Sequence, residues 1–312
     1  MTPRRTQASR AVDGVLLVDK PYGVSSNRAL QAARRCYGAA KAGHAGTLDP
    51  AATGLLVALL GEATKFAGAL LGADKSYEAV VRLGVVTATG DAEGEVIATC
   101  DPDVSRESVT HAVASFVGEI DQVPPLYSAL KRDGKPYYAY ARAGREIERR
   151  ARRVRVHALE VRAFDGVELV LGARVGTGTY LRTLAEDIGA RLGCGAHLAA
   201  LRRTRVGPFD AADAFTLERL QSMGPDDLIR ALLPVDALLG GLPQIDLAAA
   251  ASLRFTQGQP VELVSARDAD GPVRVYGPGP TFLGKGRAVE GRLHPERLVA
   301  VPQQRGEPDS PC

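Results

Sequence analysis

A chain of 312 residues of which 45% are apolar can bury a sizeable core, which excludes a wholly disordered protein and points to one large domain plus a small one. The 39 Lys and Arg against 36 Asp and Glu leave a net charge of only +3, so the total charge does not by itself announce a polyanionic partner. Cys36, Cys100, Cys194 and Cys312 form no C-x-x-C pair and the histidines do not accompany them, which argues against a zinc site or a disulfide framework.

The basic start MTPRRTQASR, read as a tail over residues 1–12, leads into no apolar run of signal-peptide type. No stretch approaches the length of a membrane span, so a cytoplasmic protein without a membrane association is expected. Gly14 to Asp19 (GVLLVD) reads as a short buried strand, and Ser25 or Ser26 is placed to cap a helix carrying Leu30, Ala33 and Cys36 on one side. The glycine-rich break GHAGTLDPAATG follows. The apolar run Leu55 to Leu60 is short and stops at Gly61, which favours a strand.

Ser76 to Leu83 (SYEAVVRL) is rich in strand formers, and the turn-forming TATGDAEGE returns the chain into Val96 to Thr99 as a hairpin or meander. Ser105 to Phe116 has helical spacing in Val109, Ala112, Val113 and Phe116, whereas two prolines keep the start of PPLYSAL out of a helix. From Val154 to Ala163 the apolar positions alternate and then change parity, which predicts a β-bulge in a long strand; Val167 to Val175 is the next strand. A turn at Gly176 to Gly178 leads to a helix starting near Thr179 or Thr183, with Leu181, Leu184, Ala185, Ile188 and Leu192 as its stripe. Strands and helices mix without a regular βαβ repeat, so the fold class expected is α+β with a mostly antiparallel sheet. GGLPQ at Gly240 to Gln244 reads as a linker, separating a main domain over residues 13–240 from a small β-rich module over residues 245–312.

Asp49 precedes Pro50, whose ring keeps it out of the helical region, so a loop presents its carboxylate. The same pattern fits a structural Asx-turn. Arg182 falls at the start of a predicted helix, where the dipole disfavours a cation and an anion is needed nearby. Asp49 is the favoured partner, with Glu186 on the same helix as the alternative. Tyr77 and Tyr180 suit either a core or a stacking platform for a base. Seven of the fourteen residues from Arg142 to Arg155 are arginines, and Arg202, Arg203 and Arg205 form a second group; both suit phosphate contacts or a plain solvated face, in a chain with seven lysines and thirty-two arginines. Gly279 to Gly286 (GPTFLGKG) matches the phosphate-loop pattern except for its last position, where Gly286 lacks the hydroxyl that holds magnesium.

GHAGTLDPAATGLL, KSY at Lys75 to Tyr77 and GTYLRTLAEDIG at Gly178 to Gly189 resemble the aspartate, tyrosine and arginine motifs of the TruB family of tRNA pseudouridine synthases. VPPLYSALKRDGKPYYAYAR and LRRTRVGPF extend the resemblance from about residue 14 to 210. It implies a pseudouridine-synthase fold with a mixed sheet flanked by helices and a C-terminal PUA-like RNA-binding module. It also implies isomerisation of uridine-55 in the T loop of tRNA, with base flipping, no cofactor and no metal; a monomer with no obligate protein partner is the default expectation. On this resemblance Asp49 is the essential carboxylate, Tyr77 stacks on the flipped uracil and Arg182 holds Asp49. His44 would fill the space the base leaves, Tyr180 and Leu201 would line the pocket, and Lys65, Arg149, Arg153, Arg202 and Arg203 would contact RNA. An RNA-folding protein on the same scaffold, or a synthase acting on another RNA, is the alternative.

Overall fold

The computed structural model describes residues 12–300 apart from 129, 133, 144, 146 and 264–269, so residues 1–11 of the basic tail and Cys312 lie outside the described residues. Strand β1 (Gly14–Lys20) leads to helix α1 (Ser26–Tyr37), which Ser25 caps by accepting from the Arg28 amide. Strands β2 (Ala42–Ala45) and β3 (Ala52–Leu60) flank the glycine-rich loop, and a 3-10 turn over Gly61–Phe66 and helix α2 (Gly68–Leu71) follow. Strand β4 (Lys75–Leu83) precedes the ribbon β5 (Val85–Thr87) and β6 (Val96–Thr99), as the turn-rich sequence predicts.

Helix α3 (Arg106–Ala114), strand β7 (Gly118–Gln122), the short ribbon β8 (Lys131–Arg132) and β9 (Lys135–Pro136), and helix α4 (Tyr137–Arg142) lead to the long strand β10 (Arg152–Phe164). Its register slips between Val156 and Ala158, at the predicted parity change, and again between Val161 and Ala163. Strand β11 (Glu168–Val175) and helix α5 (Leu181–Leu192) bring the chain to strand β12 (Ala196–Val206) and the two-residue strands β13 (Phe209–Asp210) and β14 (Phe215–Thr216).

Among the described residues these form a ten-stranded sheet with the path β14-β1-β3-β12-β4-β11-β10-β7, with β13 paired to β12 and β2 to β3 beside it. Its ladders are antiparallel except β1 with β14 and β3 with β12, so the sheet is mixed and mostly antiparallel, as expected. One core packs α3 and α5 against the half of the sheet around β4 and β11, and two more cover the opposite faces of β1 and β3. The parallel β3–β12 contact puts Leu201 beside Ala52, and the antiparallel β12–β4 contact puts Arg203 beside Tyr77. The loop before β3, the start of β4 and the middle of β12 therefore converge at the sheet's centre. Gly54 lies at that crossing with φ of 95°, and a Cβ there would come within 2.3 Å of the Arg203 carbonyl oxygen, so only glycine fits.

Helices α6 (Leu217–Ser222) and α7 (Pro225–Arg230) and a 3-10 turn over Val235–Leu239 lead to a second sheet with its own core. It comprises β15 (Gln244–Asp246), β16 (Val261–Glu262), β17 (Gly271–Gly277), β18 (Thr281–Val289) and β19 (Arg292–Leu298), with helix α8 (Ala249–Thr256) packed on it. Gln244, read from sequence as linker, already pairs with Arg274 as the first residue of β15. The GPTFLGKG segment runs as strand β18, which dismisses the phosphate-loop likeness.

Lys65, expected to contact RNA, also has a structural role. Its Nζ donates to Glu62 at 2.6 Å and to the Leu298 carbonyl at 3.0 Å, and the Ala300 amide donates to the same Glu62 carboxylate, so Lys65 binds the end of the second sheet to the 3-10 turn after β3. The Phe66 and Phe282 rings meet at the same joint, 5.7 Å between centroids. Two of the three ammonium donors of Lys65 thus form a structural tie, on a side chain 32% exposed.

Candidate active site

The Asp49 loop is held on both sides. Ser26 at the start of α1 donates its hydroxyl to the Leu48 carbonyl and accepts from the Leu48 amide, both at 2.8 Å. The Ala52 amide donates to the Asp49 carbonyl, and the Gly23 amide donates to that of Pro50. Beneath the loop, Lys20 is fully buried at the end of β1, with Nζ donating to the Pro21, Val24 and Pro50 carbonyls at 3.0, 2.7 and 3.2 Å. This leaves the Asp49 carboxylate half-exposed on a backbone that cannot move freely.

Burial lowers the Lys20 ammonium to about 8, against the opposing pull of Asp49. Since the free value is 10.5, the unfolded chain holds a proton across this interval that the folded chain has released. The resulting penalty is full below pH about 8 and fades as pH rises toward 10.5, so Lys20 makes stability increase with pH through that window. Unfolding free energies of native protein and Lys20→Met, measured by denaturant between these limits, are expected to show a shallower rise in the variant.

Arg182 occupies the first turn of α5, and its side chain is only 6% exposed. Nη2 lies 3.0 Å from Asp49 Oδ2 and donates to the Tyr127 carbonyl at 2.7 Å. Nη1 lies 3.4 Å from Asp91 Oδ2 and donates to the Thr89 carbonyl. The anion that the helix start requires is thus supplied twice, by Asp49 and by Asp91, and Glu186 does not form the alternative pair with Arg182. Asp91 is buried at 8% exposure and accepts from the Thr89 hydroxyl and the Glu93 amide. Sequence reading missed it, since an acidic residue in TATGDAEGE is first of all a turn former; an unpaired charge between strands was the available signal.

Helix α5 begins at Leu181, between the two threonines near which its start is expected. Tyr180 precedes it, and the buried Gln122 amide at the end of β7 grips its backbone, accepting from the Tyr180 amide at 2.9 Å and donating to its carbonyl at 3.2 Å. A cleft of about 270 Å³ opens here, lined by Asp49, Tyr77, Ser128, Tyr180, Arg182 and Leu201 among others. Tyr77 and Leu201 pack on the core below it. Burial pushes the Tyr180 phenol above its ordinary value, so it enters the cleft as a protonated hydroxyl. A larger cavity, about 580 Å³, lies at the joint near Lys65 and contains none of Asp49, Tyr77 and Arg182.

Of the other residues singled out, His44 lies on β2 opposite Ala58, outside the cleft lining. Burial, reinforced by the Arg203 guanidinium, holds its imidazole below the ordinary value, so it is neutral at pH 7. Arg203 requires a correction: it is 1% exposed and cannot reach a phosphate. Its Nε donates to the Leu55 carbonyl at 2.8 Å and Nη2 to that of Gly46 at 3.1 Å, tying both ends of the Asp49 loop region to β12. The next residue inverts its face along the strand, so Arg202 points outward and forms a two-pronged pair with Asp19 at 3.0 and 2.8 Å. Arg149 donates to the Pro124 carbonyl, whereas Arg153 is exposed and pairs loosely with Glu119 and Asp121.

The fold has solved counterparts. The chain is similar to a crystal structure of a Cbf5-Nop10-Gar1 complex, with a TM-score of 0.68 and 29% identity over 88% of this chain and 78% of that one. It is also similar to an H/ACA RNP bound to a substrate RNA containing 2'-deoxyuridine, with a TM-score of 0.70 and 25% identity over 92% and 85%. Residues 34–181 match the TruB family pseudouridylate synthase N terminal domain, residues 182–240 the tRNA pseudouridylate synthase B C-terminal domain, and residues 243–299 the pseudouridine synthase II TruB C-terminal domain.

The chain belongs to the TruB family of pseudouridine synthases. Relatives named tRNA pseudouridine synthase B include those of Aromatoleum aromaticum, 55% identical over 94% of both chains, and Azoarcus sp., 56% identical over 94% of this chain and 96% of the relative. That of Burkholderia mallei is 54% identical over 96% and 98%.

Proposed function

We propose that this chain isomerises uridine-55 in the T loop of tRNA to pseudouridine, with Asp49 as the carboxylate that acts on the flipped nucleotide. The observation that carries this reading is a single half-exposed carboxylate set in a nucleotide-sized cleft by a buried arginine, with Tyr77 and Tyr180 beside it. A flat ring against the cleft's core side suits stacking of an extruded base. The names of the relatives support tRNA as the substrate.

A carboxylate in that place has two routes to the same end. It attacks C1′ of the ribose, or it withdraws the C2′ proton to open a glycal path; in either, the bond from N1 to C1′ breaks. The uracil turns and C5 bonds to C1′, as the Asp49 ester breaks in the first route or as Asp49 returns its proton to C2′ in the second; N1 gains a proton and C5 loses one. No atom is gained or lost overall. The arginines exposed around Arg153 and the outward face of β12 at Arg202 suit phosphate contacts that orient the folded T arm without reading its sequence. With tRNA as substrate, the working compartment is the cytoplasm; among the described residues no helix is long and apolar enough to cross a membrane.

The test is tritium release from T-arm RNA labelled at C5 of uridine, with the modified position mapped afterwards. Release at the T-loop uridine alone is expected. Binding without release, or release from a different uridine, would overturn the assignment.

A further inference from the structure

Strand β7 ends the path of the main sheet among the described residues, and its alternation sends Glu119 and Asp121 to solvent while Gln122 turns inward, 2% exposed. An apolar side chain is the usual occupant of such a position, because a carboxamide buried without partners loses its hydration uncompensated. Gln122 has both polar atoms satisfied, and both on one residue. Oε1 accepts from the Tyr180 amide at 2.9 Å and Nε2 donates to the Tyr180 carbonyl at 3.2 Å. The side chain thereby pairs with a backbone unit as a neighbouring strand would.

Tyr180 is where that grip counts. It precedes α5 in extended conformation, φ −105° and ψ 117°, and its own side chain forms no cap. Ser, Thr, Asp or Asn usually secure a helix start by accepting from its first amides, and tyrosine lacks that means. The first turn also carries Arg182, a cation at the end where the helix dipole disfavours one. The turn of α5 least secured by its own sequence is thus the one that places Arg182 Nη2 3.0 Å from Asp49. The Tyr180 carbonyl accepts in addition from the Leu184 amide at 3.1 Å, so Gln122 clamps the residue that opens the helical hydrogen-bond ladder.

The clamp closes a ring of contacts. From Gln122 the chain runs through Pro124 and Pro125, whose rings restrict it, to Tyr127, whose carbonyl accepts from Arg182 at 2.7 Å. The segment 122–127 is therefore joined to α5 at both ends, through the Tyr180 backbone at one and the Arg182 guanidinium at the other. A shift of the helix start against β7 would move Arg182 relative to Asp49 and Tyr127 together. We propose that Gln122 is a positioning residue of the reaction: by fixing the Tyr180 backbone it sets the start of α5, and through it the Arg182 fork on Asp49. The inference rests on the pseudouridylation reading above, and Gln122 itself lies outside the cleft lining.

Gln122→Met tests it, since methionine keeps the length of the side chain and loses both bonds. Gln122→Asn runs beside it, a carboxamide one methylene shorter, so that the test does not depend on the folding of one variant. Single-turnover tritium release from T-arm RNA and affinity for that RNA are measured at a temperature where circular dichroism shows each protein folded. A merely structural role lowers Tm and leaves the rate of the folded molecule unchanged. Positioning lowers that rate at least about tenfold in both variants, as misplaced catalytic groups do, with affinity within about twofold of native. The methionine substitution is then repeated in an Arg182→Lys background. There it should cost less than about twofold, because the fork that Gln122 serves is already gone. Single variants whose rates stay within about twofold of native overturn the proposal, and so does an equal loss in both backgrounds. A native enzyme inactive on this RNA overturns the pseudouridylation reading, and this inference with it; an active native enzyme matched by its variants overturns this inference alone.

Discussion

Arg182→Met is expected to lower turnover at least about a thousandfold, which corresponds to roughly 4 kcal/mol of lost transition-state stabilisation. The guanidinium is 6% exposed and spans two carboxylates, with Asp49 on Nη2 and Asp91 on Nη1. Methionine keeps the apolar stem but leaves Asp91, 8% exposed, as a buried charge without its cation. Breaking a buried pair in this way costs about 3–5 kcal/mol of stability, so the variant should also unfold at lower denaturant. Arg182→Lys separates charge from geometry. One ammonium cannot reproduce a fork that reaches two carboxylates and two backbone carbonyls, so lysine should restore folding better than turnover. Native turnover in the lysine variant, measured by tritium release under single-turnover conditions, would show that the two-carboxylate fork is not needed.

Much of this arrangement was legible in the sequence, for identifiable reasons. The parity change along Val154 to Ala163 predicts the bulge because side chains alternate strictly in a strand, and Ser25 declares its helix by a local cap. Arg182 announces a missing anion because a cation at a helix start is unfavourable, and Asp49 supplies it across 133 residues of sequence, the difference of the two numbers. Asp91 was hidden behind its suitability for turns, and only the meeting of α5 with the β5–β6 connection gives it a partner.

The structural roles of two cations went unread for a different cause. Arg203 and Lys65 look like surface charge by residue type, since both kinds of side chain are seldom buried. Arg203 is carried inside because β12 lies between β3 and β4, and the inward face of a central strand falls on every second residue. Its neighbour Arg202 faces the other way, and a register shift between Arg203 and Arg205 breaks the alternation, so Arg202 and Arg205 both keep their guanidiniums partly exposed. Lys65 meets the end of β19 through a contact spanning 233 positions, which no local pattern foretells. Lys20 was missed likewise: GVLLVD reads as a complete strand, and the lysine that ends it serves the Asp49 loop thirty residues away, through Pro50.

Asp49→Asn bears most directly on the account. The amide matches the carboxylate in shape, and the loop beneath is held by Ser26 and Lys20 whichever side chain stands at position 49. Phosphate contacts are assigned to arginines outside the cleft, so affinity for tRNA should stay within about threefold, or under about 0.7 kcal/mol. Removing the charge removes both the nucleophile and the base, so pseudouridine formation should be lost entirely. The deciding measurement is tritium release and tRNA affinity for Asp49→Asn beside native enzyme in one assay. Retained binding with no release is the predicted result. Release at a rate comparable to native would contradict a role for Asp49 in the chemistry.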